Sequence, residues 1–196
     1  MRFSTVLAAT AFAAFTYAEE HVVKVGANGL KFEPSTITAA EGDHVIFEFY
    51  AKNHSVAQGA FNSPCKPSDG GFWSGFVPAS GTTPNETTFM YTVANASAPI
   101  WVYCTQGSHC QSGMVAAINA PSTGNTLEKY INGSSLATEN LSPTSAAGEG
   151  GMLMQGTSHS GTPSGSATPG ASGAASTLNN GMAFTGLMSM FAFLMM

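Results

Sequence analysis

The chain has 196 residues, of which 43% are hydrophobic and only 9% are charged, against about 25% charged residues in an average soluble domain. Six basic and eleven acidic residues give a formal net charge of −5. This balance offers no basic surface to a nucleic-acid backbone, so nucleic-acid binding is excluded as a function class. Three cysteines and ten methionines are the other unusual counts. The length allows one domain with appendages.

Residues 1–18 predict a secretory signal peptide. Arg2 supplies one positive charge, a short apolar run follows, and the small residue Ala18 precedes Glu19, which is the order typical of a cleaved leader. A retained membrane anchor is the alternative, and the shortness of the run disfavours it. We therefore expect the mature chain to start at Glu19 in an oxidising compartment, where disulfides form.

Residues 19–133 predict one all-β domain. Seven segments combine β-branched or aromatic residues with flanking turn signals. They are residues 21–26, 35–38, 43–50, 54–58, 87–93, 100–104 and 114–119. Only residues 126–131 favour a helix, of about one turn. Regular strand-and-turn spacing of this kind predicts an antiparallel β-sandwich.

Alternation along residues 43–50 assigns one histidine to the surface. Val45, Phe47 and Phe49 share one face of this strand, and His44 and Ile46 share the other, because successive side chains of a strand point to opposite faces. We expect His44 to lie on the outer surface and not to bind a metal.

Residues 134–175 predict a disordered stalk. The segment consists mainly of Ser, Gly, Thr, Ala and Pro, a composition that buries too little apolar surface to offset the entropy of the chain. O-glycosylation is expected on such a stretch.

Residues 176–196 predict a glycosylphosphatidylinositol (GPI) attachment signal that is removed from the mature protein. The small residues Ser172, Gly173 and Ala174 precede a polar spacer and an apolar terminus, as in GPI signals. A tail-anchored helix or an amphipathic terminus is the alternative. The apolar run is shorter than the roughly 20 residues that cross a bilayer.

One loop near the end of the domain carries the ligand chemistry. Cys104, His109 and Met114 recur at five-residue intervals between two apolar strands. Soft sulfur ligands with imidazole suit copper, and two histidines and a cysteine with a weak axial methionine form the blue-copper arrangement. A second histidine is then required. His54, at the start of a strand, is the best candidate because the other histidines of the domain lie on an outer face or near the mature N-terminus.

The chain resembles the cupredoxins, particularly the phytocyanins and related secreted fungal proteins, over nearly all of residues 21–120. The matching motifs are Val23-x-Val25-Gly26, Gly29-Leu-x-Phe-x-Pro34, Gly42-Asp43, Asn53-His54-Ser-Val, Cys65 and Cys104-x4-His109-Cys110-x3-Met114. The resemblance implies a Greek-key β-sandwich of about seven to eight strands. It also implies that one copper ion is bound near one end by His54, Cys104, His109 and Met114, although Met114 as an ordinary core residue is the alternative.

The resemblance further implies a disulfide. Cys110 is similar to the phytocyanin cysteine that pairs with an upstream partner, which in this chain can only be Cys65. That pairing leaves Cys104 free as a ligand, whereas a disulfide that uses Cys104 is the alternative.

Asparagines next to hydroxyl residues have two competing interpretations. Asn53 fits the glycosylation pattern, but by resemblance it holds the two ligand loops together through hydrogen bonds. The remaining candidates for N-glycosylation are Asn85, Asn95, Asn132 and Asn140. Asn140 is disfavoured among them because a proline follows its sequon.

Four protein ligands leave a copper ion little room for substrate, which favours outer-sphere one-electron transfer over catalysis. We therefore expect a non-enzymatic, monomeric electron-transfer protein at the outer face of the plasma membrane or cell wall, in contact with the membrane only through a GPI lipid. The sequence does not identify its redox partner or copper donor. A copper-sequestering surface protein without a redox partner and a metal-free adhesion module are the alternatives.

Three classes of copper enzyme are disfavoured. Multicopper oxidases need His-x-His pairs, which are absent from the sequence, and copper superoxide dismutase needs more imidazoles than the domain has. Lytic polysaccharide monooxygenases use the mature N-terminal histidine, whereas His21 lies two residues inside the expected terminus.

Overall fold

The computed structural model describes residues 17–156, so most of the expected signal peptide and the expected GPI residues Ser172, Gly173 and Ala174 lie outside the described range. The described residues form eleven strands and one helix. The strands are β1 (Glu20–Val25), β2 (Phe32–Glu33), β3 (Thr36–Ile37), β4 (His44–Phe49), β5 (Lys52–Ala60), β6 (Ser63–Pro67), β7 (Trp73–Ala79), β8 (Thr87–Thr92), β9 (Ile100–Tyr103), β10 (Val115–Ile118) and β11 (Met152–Gln155), and the helix is α1 (Leu127–Ser135). Within this range, no helix combines the length and the apolar content that crossing a membrane requires.

Two sheets face each other across a hydrophobic core. The first has the strand order β11-β8-β4-β1-β2, and the second has the order β3-β10-β9-β5-β6 with β7 paired to β5. β1 runs parallel to β4 and β3 parallel to β10, whereas the other strand pairs are antiparallel. The expected all-β sandwich is confirmed, with eleven strands in place of seven or eight. The expectation of purely antiparallel pairing is wrong for the two parallel pairs β1–β4 and β3–β10.

Aromatic side chains fill the space between the sheets. Phe47 contacts Phe32 edge-on at 6.2 Å between ring centroids and also contacts Phe89 at 6.3 Å. Val45 and Phe49 are fully buried beside them, as alternation predicts. Ile46 is also fully buried, although alternation assigns it to the outer face.

His44 lies on the outer side of its sheet, as expected. The side chain is half-buried, and its Nδ1 lies 3.1 Å from Thr92 Oγ1 on the neighbouring strand β8. His44 therefore has a local partner and does not belong to the cluster formed by the predicted ligands His54, Cys104 and His109.

A carboxylate holds the start of β1. Asp43 Oδ1 accepts a hydrogen bond from Glu19 N at 2.9 Å, and its Oδ2 accepts one from Ala40 N at 2.7 Å and lies 3.1 Å from His21 Nε2. These contacts, led by the Glu19 N–H, lower the pKa of Asp43 to about 2. Asp43 therefore stays ionised at ordinary pH and stabilises this end of the fold above its normal pKa of 3.8, a contribution that is lost as the pH falls toward 2.

A smaller core lies on the outer face of the second sheet under α1. Thr126 caps the helix by accepting a hydrogen bond from Lys129 N. Tyr130 packs against Trp101 of β9 at 5.0 Å between ring centroids. This burial extends α1 to nine residues, beyond the single turn expected from the sequence.

The disulfide implied by the resemblance is present. Cys65 of β6 is bonded to Cys110 at a sequence separation of 45 residues. A loop of this length corresponds to about 4 kcal/mol in the chain-entropy treatment of cross-links. The pairing leaves Cys104 as the free cysteine of the chain, and it is buried.

The structure corrects the expected domain boundary at residue 133. The chain beyond α1 continues over the domain, forms a bridge between Glu149 and Trp73, and ends in β11, which pairs with β8. A Cβ atom at Gly151 would overlap the Phe89 ring, so this glycine permits close packing and does not indicate disorder. Residues 134–156 therefore belong to the folded domain, and the expectation for residues 157–175 lies outside the described range.

Candidate metal centre

Three of the predicted ligands converge at one end of the sandwich. His54 lies in β5, Cys104 directly follows β9, and His109 lies in the loop between β9 and β10, and their donor atoms all lie within 4.8 Å of one another. Cys104 Sγ is 3.9 Å from His54 Nδ1 and 3.5 Å from His109 Nδ1. Metal–nitrogen and metal–sulfur bonds measure about 2.0–2.3 Å. Both sulfur–nitrogen distances are therefore compatible with one shared ion.

Met114 is placed beside these residues by the backbone. The side chain is fully buried in the core cluster that also contains Cys104. Cys104 N donates to Met114 O at 3.1 Å, and Met114 N donates to His109 O at 2.9 Å. Residues 104–114, called the ligand loop below, are thus closed at their base by hydrogen bonds between the predicted ligands.

Burial sets the protonation of the three donors. Burial lowers the pKa of His54, with a smaller opposing effect from the Ala51 carbonyl, and burial also lowers the pKa of His109. Neutral imidazole is the form that binds metals. Burial raises the pKa of the Cys104 thiol, against hydrogen bonds from Gln106 and Ser55 that lower it. Between pH 6.5 and 9.0, the unshifted pKa values of histidine and cysteine, the metal-free site therefore favours two neutral imidazoles and a thiol whose proton a metal must displace.

Ser55 places two hydrogen-bond donors near the Cys104 sulfur. Its N–H donates to Cys104 Sγ at 3.4 Å, and its hydroxyl lies 3.9 Å from the same sulfur. Thr105 N donates to Ser55 Oγ at 2.9 Å, which fixes the hydroxyl. Hydrogen bonds to a ligating sulfur tune the potential of a copper site. Sequence reasoning missed Ser55, although its position directly after His54 was the available signal.

Asn53 joins the two ligand-bearing segments. Its Nδ2 donates to Gln106 Oε1 in the ligand loop at 2.9 Å. This bond connects the strand of His54 to the loop of Cys104 and His109, which is the role that the resemblance implies.

The glycosylation candidates lie in different surroundings. Asn95 and Asn132 are exposed, whereas Asn85 and Asn140 are half-buried. Asn85 Nδ2 donates to Pro78 O at 2.7 Å. Asn140 donates to two carbonyls of the ligand loop.

A shallow cavity of about 380 Å³ opens beside the cluster. It is lined by Gly29, Leu30, Ala51, Lys52, Asn53, His54, Gln106 and His109. His54 is only 3% exposed, whereas His109 is half-buried. Among the three converging donors, His109 therefore provides the contact with solvent.

Gly26 leaves space for the His54 ring. Its backbone has a φ of +85°, and a Cβ atom built on it would overlap His54 at Nε2. Only glycine meets both conditions without strain. The Val23-x-Val25-Gly26 motif of the sequence thus includes a residue whose lack of a side chain leaves room for the His54 ring.

Curated proteins with similar sequences include two from the fungus Arthroderma benhamiae, whereas no family model matches the chain. "Probable GPI-anchored cupredoxin-1" is 35% identical, with 93% of this chain and 97% of that protein aligned. "Extracellular serine-rich protein" is 38% identical over 74% of this chain and 56% of that protein, so the chain spans just over half of its length.

Solved structures that align with the chain include auracyanin B and a pseudoazurin from Hyphomicrobium denitrificans. Auracyanin B is 14% identical with a TM-score of 0.39, over 54% of this chain and 91% of that chain. The pseudoazurin is 16% identical with a TM-score of 0.34, over 61% of this chain and 99% of that chain. The family assignment depends on the first fungal relative, which is aligned over nearly its whole length. The chain belongs to the cupredoxin family.

Proposed function

We propose that this protein is an extracellular type 1 copper protein that transfers single electrons by an outer-sphere route. The observation that carries the proposal is the cluster of His54 Nδ1, Cys104 Sγ and His109 Nδ1 at one end of the sandwich. Met114 would supply a fourth, weaker ligand through its thioether. A copper ion bound by these residues supplies reversible exchange between Cu(I) and Cu(II).

The donor set fits copper better than zinc. Structural zinc sites use four cysteine or histidine ligands. Within residues 17–156, this cluster offers one cysteine and two histidines, and the remaining candidate is a thioether. Thiolate with thioether is a combination that favours copper.

The protein would support electron transfer by fixing the positions of the residues that bind copper. His54 Nε2 lies 3.4 Å from Ala51 O, so an Nε2–H that donates there leaves Nδ1 as the lone-pair donor toward Cys104. The Ser55 N–H stabilises negative charge on the sulfur. His109 would carry electrons to a partner because it is the donor in contact with solvent, whereas His54 and Cys104 are buried.

We place the protein at the outer cell surface, attached by a GPI lipid. The leader-like start, the small-residue and apolar C-terminal pattern and the names of the two fungal relatives support this location. Phosphatidylinositol-specific phospholipase should release the protein from intact cells into the medium. Retention on treated cells, measured by immunoblotting, would contradict the anchor.

Electron exchange tests the function. The copper-loaded mature protein should oxidise a reduced small redox protein, such as cytochrome c, with a second-order rate constant of about 10⁵ M⁻¹ s⁻¹ or more, which is typical of diffusional protein encounters. Stopped-flow absorption measures the rate, and zinc-loaded protein is the redox-inert control. Tight copper binding with exchange orders of magnitude slower would favour a copper-sequestering protein instead.

A further inference from the structure

A short segment after α1 lies against the ligand loop. Residues 137–141, called the strap below, contain Asn140, whose Nδ2 donates to Cys104 O at 3.1 Å and to Gly107 O at 2.9 Å. One side chain from outside the two sheets thus binds the backbone of a predicted ligand and of the turn that leads to His109.

The strap is itself fixed to the domain. Leu141 N donates to Cys65 O at 2.9 Å, and Tyr103 Oη donates to Leu141 O at 2.7 Å. Cys65 is bonded to Cys110 within the ligand loop. Asn140 is therefore held beside the loop by contacts to β6 and β9, and its hydrogen bonds connect two firmly placed segments.

The loop between Cys104 and His109 is held from two sides. Asn53 reaches Gln106 from β5, and Asn140 reaches Cys104 and Gly107 from the strap. Gly107 has a φ of +47°, so its carbonyl belongs to a tight turn whose orientation determines where His109 lies. Without the strap, this turn would keep the Asn53 contact and lose both bonds from Asn140.

We propose that Asn140 is a positioning residue of the metal centre, which holds the Cys104 and Gly107 carbonyls and so sets the placement of the Cys104 and His109 donors before a metal binds. The metal's identity rests on the function proposed above, whereas the placement of the loop does not. The two bonds require both hydrogens of the amide. A glycan on Nδ2 replaces one of them, so Asn140 should carry no glycan.

Hydrogen exchange in the metal-free protein tests the placement directly. Asn140→Leu keeps the side-chain shape and removes both donors, and Asn140→Ala removes the side chain. Both variants should exchange the His109, Ser112 and Gly113 amides about 10-fold faster, since these amides bond within the loop and two hydrogen bonds are lost. The matched control Glu139→Gln breaks an exposed ion pair with Lys66 next to Asn140 and should leave the loop unchanged.

Copper-loaded protein provides the second readout. Both Asn140 variants should release copper about 10-fold faster and show altered visible and electron paramagnetic resonance spectra at temperatures well below melting, whereas Glu139→Gln should match wild type. Wild-type exchange and spectra in Asn140→Leu, faster exchange spread evenly over the domain, or a glycan found on Asn140 by peptide mass spectrometry would overturn the proposal. A wild-type protein without a blue-copper spectrum would refute the copper function, while exchange in the metal-free protein would still decide the role of Asn140.

Discussion

Replacing Cys104 by serine should abolish the strong visible absorption of the Cu(II)-loaded protein. The absorption of a blue-copper site comes from charge transfer between thiolate and copper, and Cys104 supplies the free thiol at the cluster. Copper affinity should fall by more than about 100-fold, since removing even a residue that only supports a metal ligand costs about 10–100-fold. Copper titration followed by absorption spectroscopy measures both effects.

Two controls show whether a loss of absorption in Cys104→Ser comes from the lost thiol and not from misfolding. Serine is close to cysteine in size, so the metal-free variant should keep the Cys65–Cys110 disulfide and a melting temperature near that of wild type. Thiol titration after denaturation should find one thiol in wild type and none in Cys104→Ser. A colourless wild-type Cu(II) complex, or a variant that keeps the absorption, would contradict the assignment of Cys104.

Gly26→Ala should displace the His54 ring and weaken copper binding by at least about 10-fold. The new methyl group would overlap His54 at Nε2, and the φ of +85° adds backbone strain of about 1–2 kcal/mol for a residue that carries a Cβ atom. Gly29→Ala is the matched control, because Gly29 has a φ of +90° in the same turn and a Cβ there meets no atom within 4 Å.

The comparison of these two glycine variants distinguishes the effect of backbone strain from the effect of displacing the His54 ring. Both should lower the melting temperature through the positive φ, but only Gly26→Ala should change copper affinity and the visible spectrum. Equal copper affinity in the two variants, measured by titration with a competing chelator, would show that the His54 ring tolerates the methyl group and that the contact does not matter.

The strands that could be predicted from sequence are those with a clear apolar pattern. Residues 43–50 and 100–104 correspond closely to β4 and β9. β6 and β7 were missed because Pro64, Pro67 and Gly75 interrupt their pattern, and proline and glycine normally argue against a strand interior. Both strands form by pairing with β5, a tertiary contact that local sequence does not contain.

Only some of the residues at the candidate metal centre could be predicted from the sequence. The spacing of Cys104, His109 and Met114 places three donors on one loop, whereas His54 lies 50 residues before Cys104 in the sequence. It can be chosen only indirectly, because the other histidines of the domain lie on an outer face or near the expected mature N-terminus. The role of Asn140 could not be predicted, because its hydrogen bonds to the distant Cys104 and Gly107 carbonyls leave no local pattern. For Ser55, which donates to the Cys104 sulfur, the one signal in the sequence is its position directly after His54. Asn140 was instead noticed as a glycosylation candidate.

β11 pairs with β8 and covers the edge that β8 would otherwise form in the first sheet. Without β11, the edge of the six-residue strand β8, which contains the buried Phe89, would present unpaired N–H and C=O groups. An exposed strand edge of this kind is a template for aggregation. β11 covers that edge and is itself only four residues long. A chain truncated at residue 133 would lose this cover together with the strap, so a soluble form of the domain should extend to Gly156.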